Sequence, residues 1–173
     1  SDPNQGLTTI VAAYRRVIDL APEYQPAQQA LGDTAVTWKQ SIAGAMAEND
    51  LERATTRLEE AQSVFESDPE LTVLSLRLQN RFRAERLLAS TQSLLRSSGL
   101  SDEASAAAAV QAFEEILRIS PDHAAAAQGL TDISKHYGDL AAQAAREGDV
   151  AQAIRLLQRA TAARSDLREL DQV

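Results

Sequence analysis

The sequence contains no cysteine, which excludes disulfide cross-links, thiol nucleophiles and thiolate-held metals together. Its two histidines, His123 and His136, are too few for a histidine-built metal site, and Asp139, three residues from His136, is an isolated acidic neighbour. No serine stands between glycines in the manner of a strained nucleophile turn, and no glycine-rich phosphate loop occurs. Enzymatic activity is therefore not expected, and no catalytic, cofactor or metal site is assigned. No run of about 18 apolar residues is present that could span a bilayer, and no basic stretch followed by a short apolar one reads as a signal peptide. The chain begins at Ser1 without an initiator Met, which suits a piece of a longer protein whose upstream segments could include targeting or membrane sequences.

Aromatic residues make up only 4% of the chain, with 7 glycines and 5 prolines, yet 44% of the residues are hydrophobic, mostly Ala and Leu. That is the composition of packed helices. The 17 basic residues are outnumbered by 25 acidic ones. A net charge of -8 disfavours nucleic acid or an anionic membrane surface as the main partner. At 173 residues the chain can bury a sizeable core.

Apolar periodicity and the few breakers predict about seven helices in an all-α fold. A first helix over 7–21 places Ile10, Tyr14, Val17, Ile18 and Leu20 on one side and ends at Pro22. The second runs over 25–48, closed by Asn49-Asp50, and the third from Leu51 to about Ser67. Pro69 restarts the chain at a first-turn position, and residues 70–98 read as one long helix whose apolar side drifts, with room for a bend near Asn80. Ser97 to Asp102 is the clearest loop, and Ser101 or Asp102 can cap the next helix over 104–119. Helices over 124–147 and 150–163 follow, then a short charged last turn over 166–173.

An offset of 99 residues aligns Ala13 to Ala61 with Ala112 to Ala160 without a gap. Identical pairs include Pro22/Pro121, Leu31/Leu130, Asp50/Asp149, Ala54/Ala153 and Leu58/Leu157, with Tyr14/Phe113, Val17/Ile116 and Trp38/Tyr137 as conservative partners. The identities fall on apolar, turn and proline positions, so the duplication repeats a way of packing. It divides the chain into a first, incomplete unit over 1–68 and a second over 69–173 led by the long helix, read together as one continuous domain.

Tyr137, Leu140, Ala141 and Ala144, the turn Gly148-Asp149, then Val150, Ala153, Leu157 and Ala160 spell a helical hairpin in small residues. This stretch resembles the tetratricopeptide repeat, with Ser165 where the family has Pro. The equivalents Ile10, Ala54, Ala109 and Ala153 are spaced 44, 55 and 44 residues apart, so each first helix is about three turns longer than the family's period of about 34 allows.

The resemblance implies antiparallel helical hairpins stacked as a short α-solenoid, acting as a non-catalytic scaffold that binds a protein or peptide. Trp38 and Tyr137 would pack inside the hairpins. The family's groove positions carry over to Val36, Lys39, Ala43, Met46 and Ala47 and to Lys135, Gly138, Ala142, Ala145 and Arg146. Of these, Lys39, Met46, Lys135 and Arg146 are the expected partner contacts. Ala43 and Ala142 stand where some members use Asn to clamp a terminal carboxylate, so a chaperone-tail clamp is not implied. The densest basic group, Arg77, Arg81, Arg83 and Arg86, is read as pairing with neighbouring carboxylates, with docking of an acidic segment as the alternative; Glu59, Glu60, Glu66, Asp68 and Glu70 are read as a solvated face. The duplicated hairpins also look like repeat regions of larger bacterial membrane-anchored proteins, which would make the chain a spacer or sensor ectodomain, periplasmic or otherwise outside the cytoplasm. Homodimerisation through 70–98 is a third reading.

Overall fold

A computed structural model describes residues 3–170. Among them there are seven α-helices and no strand: α1 (Pro3–Leu20), α2 (Gln25–Ala47), α3 (Leu51–Val64), α4 (Pro69–Ser98), α5 (Glu103–Ile119), α6 (Ala124–Arg146) and α7 (Val150–Leu170). Helices α2 and α6 begin 99 positions apart and end 99 positions apart, as do the starts of α3 and α7 and the ends of α1 and α5. The all-α expectation and the helix count hold.

Local chemistry sets these bounds. Asn49 (φ 57°) and Gly148 (φ 84°) take the left-handed conformation that ends α2 and α6. Asp50 and Asp149 then accept the Arg53 and Gln152 amides at 3.0 and 2.9 Å, capping α3 and α7. Asp102 caps α5 by accepting the Ser105 amide at 2.9 Å. Its carboxyl is held below the usual range, first by the Ser105 side chain and then by that amide. Helix α7 departs from expectation: it continues past residue 163 to Leu170, because no Gly or Pro follows Gly148 to stop it. The separate last turn expected over 166–173 is therefore absent as far as Leu170, and 171–173 lie outside the described residues.

The chain forms two compact units, Ser1–Gln79 and Asn80–Val173, dividing inside the uninterrupted helix α4. In the first, α1 packs on α2 and α2 on α3. Its core joins Val11, Trp38, Ile42, Ala54 and Leu58 to Leu71, Leu74 and Leu78 from the start of α4. In the second, α5 packs on α6 and α6 on α7. Its core joins Ala109, Phe113, Ile116, Leu130, Tyr137 and Ala153 to Ala84, with Leu87, Leu88 and Leu95 of α4 packed against it.

Ala54 and Ala153 are both buried, as the alanine seams require. Two ladders depart from expectation. On α1 only Val11 is buried among the described side chains, 8–20, while Ile10, Val17 and Leu20 face solvent. On α7 the buried ladder is Ala153, Leu156, Ala160 and Ala163, and Val150 and Leu157 are exposed. In each case the outer part of the apolar face has no covering helix among the described residues.

Candidate partner-binding surface

The four partner contacts expected from the sequence lie two on each unit. Lys39 and Met46 are seven residues apart on α2, and Lys135 and Arg146 eleven apart on α6, spacings that keep each pair on one helical face. Their environments differ. The Lys39 ammonium is 3.0 Å from Asp68 Oδ2 and also hydrogen-bonded to Glu70. The Glu70 bond first, then that to Asp68, raises the lysine above its ordinary value, and the Lys39 bond holds the Asp68 carboxyl below its own. Lys39 thus ties α2 to the start of α4. Met46 is half-buried against the first core. Lys135 and Arg146 are exposed, with no ion pair among the described residues. Val36, Ala43, Ala47, Ala142 and Ala145 are exposed as well, and Gly138 is half-buried.

The two aromatic residues expected to pack inside the hairpins are core. Trp38 and Tyr137 are buried, and Trp38 meets the Phe65 ring edge-on with centroids 5.7 Å apart. Arg159 lies over the Tyr137 ring, its guanidinium carbon 5.8 Å from the centroid.

Two of the clustered arginines pair within the second unit. Arg81 is 3.5 Å from Asp122 and donates to Ser120 Oγ at 3.0 Å, and Arg83 is 2.8 Å from Glu115. Glu115 also takes Arg118 at 2.7 Å, and that hydrogen bond holds its carboxyl below the usual range. His123 is buried at the start of α6, its Nδ1 accepting the Ala126 amide at 3.4 Å and its Nε2 lying 3.4 Å from Glu85 Oε1. It is a structural histidine. No group of three His, Asp or Glu side chains among the described residues is arranged to hold a metal ion.

One surface was not anticipated. Along the outer side of α7, Ile154 and Leu157 line an open trough of about 450 Å³ with Gln158, Thr161 and Ala162, and Val150 continues the apolar exposure toward the helix start. Leu157 is 53% exposed, whereas its duplicate Leu58 is 5% exposed in the core that holds Leu71, Leu74 and Leu78. The duplication itself contained the signal: α3 is followed by the turn and proline that start α4, whereas residues 161–170 continue α7 itself.

No family profile, curated protein or solved structure matches this chain. No helix among the described residues is long and apolar enough to cross a membrane.

Proposed function

We propose that the chain is a non-catalytic module that binds a protein or peptide on helical hairpins similar to tetratricopeptide repeats with lengthened first helices. The supporting observation is the exposed aliphatic face of α7, where Val150, Ile154 and Leu157 stand at one helical spacing beside an open trough. Grouped large aliphatic side chains in water mark docking surfaces more often than isolated ones do. In this reading Lys135 and Arg146 on α6 contribute charge to partner binding. Lys39 and Met46, whose duplicates on α6 are Gly138 and Ala145, contribute on α2, where Lys39 also holds the α4 corner.

The test places a photo-crosslinking residue at position 157 and, as a control, at the exposed alanine 108. Position 157 is expected to trap a defined partner that position 108 does not, with yield reduced at least fivefold by Ile154→Asp. Identical products at both positions, or a yield unchanged by Ile154→Asp, would remove the binding reading. Within the trapped complex, Lys135→Glu together with Arg146→Glu is expected to weaken capture without loss of helicity.

A further inference from the structure

Helix α4 serves the two cores through two separate ladders. Leu71, Leu74 and Leu78 close the first core, and Ala84, with Leu87, Leu88 and Leu95 packed beside it, closes the second. Between Leu78 and Ala84 no residue is buried. The first ladder would continue at position 81 or 82, but Arg81 turns to Ser120 and Asp122, and Phe82 is 36% exposed. The turn over 79–83 therefore adds no ladder residue to either core.

Polar ties divide at the same place. Lys39 to Asp68 and Glu70, and Arg15 to the Val64 carbonyl, lie within Ser1–Gln79. Arg81 to Asp122, Arg83 to Glu115 and Arg159 to Glu103 lie within Asn80–Val173. A helical turn without core contacts couples its flanks weakly. Once a helix is nucleated, each further residue multiplies its stability in water by only about 1–1.6. A helix whose first half has lost its core can thus end near residue 80 almost as readily as at Pro69.

We propose that α4, although continuous, contains the boundary between two cooperative folding units at residues 79–83. Ser1–Gln79 opens and closes while Asn80–Val173 stays folded, and the first half of α4 goes with the former. Local opening of contiguous units below the global unfolding free energy is the general form of such a device. It is independent of what the chain binds, since it concerns how the chain opens.

Trp38, the single Trp, is a buried reporter inside the first unit, and amide hydrogen exchange resolves the two halves of α4. Ile42→Ala empties a fully buried site in the first core, and Ile133→Ala a site 1% exposed in the second. In urea, Ile42→Ala is expected to lower the midpoint of the Trp38 fluorescence transition by about 1 M or more. Ile133→Ala is expected to leave that midpoint unchanged while lowering the urea concentration at which helicity is lost by circular dichroism. In hydrogen exchange by mass spectrometry on the full chain, Ile42→Ala should accelerate residues 69–78 at least about tenfold and leave 84–98 unchanged, and Ile133→Ala should do the reverse. If Ile42→Ala unfolds the first unit outright, protection of 84–98 is still expected to persist. Equal acceleration of both halves of α4 by either variant would overturn the proposal, as would a Trp38 midpoint that follows Ile133→Ala as closely as Ile42→Ala, because the chain would then open as one unit.

Discussion

Gly129 is the residue where backbone and ring come closest. A Cβ built there would lie 2.5 Å from the buried Phe113 ring, so α6 can approach α5 only because this position has no side chain. The duplicate pair distributes bulk differently, with Ala30 in place of Gly129 and a half-buried Tyr14 in place of Phe113. Gly129→Ala would gain up to about 1 kcal/mol in helix propensity, but overpacking against the buried Phe113 ring costs about 1–3 kcal/mol. The expected outcome is a net loss of stability in urea denaturation, recovered at least in part by adding Phe113→Leu. Equal stability of Gly129→Ala and the parent would show that the ring moves aside freely. The sequence does not disclose this contact, because Gly129 sits mid-helix with no turn or cap to mark it.

At the scale of elements, breakers and caps were legible and facing was less so. Pro69, Asn49, Asp50, Gly148, Asp149 and Asp102 each act where a turn or cap was expected. The apolar faces of α1 and α7 were read too broadly, since periodicity identifies a side that can be buried and only a neighbouring helix decides how much of it is. Among the expected partner contacts, Lys39 was legible as a cation but not as the tie between α2 and the start of α4, since Asp68 lies 29 residues away in sequence. That corner has a definite pH dependence. Asp68 is depressed in the fold, so its contribution is present above the ordinary Asp value, near pH 4, and is lost as pH falls through its lowered folded value. Lys39 is raised, so its contribution is complete below the ordinary Lys value, near pH 10, and is lost as pH climbs through its raised one. Urea midpoints between pH 5 and pH 2 should therefore fall more steeply in the parent than in Lys39→Ala. Parallel curves would mean that the pair contributes nothing to stability.

For the whole molecule, one packing scheme occurs twice among the described residues, and duplicate positions in its two copies are buried to different extents. The start of α4 joins the core that buries Leu58, and the remainder of α4 joins the core that buries Ile116, while Leu157 and Val17 at the duplicate positions stay open. Two like residues in two environments should have unlike energetics. The most direct measurement is chemical denaturation of Leu58→Ala and Leu157→Ala beside the parent chain. Leu58→Ala is expected to cost about 2–5 kcal/mol, as for a buried leucine, and Leu157→Ala to stay within about 0.5 kcal/mol, as for a surface site. Similar losses at both positions would contradict the account, because they would mean that the outer face of α7 is already covered.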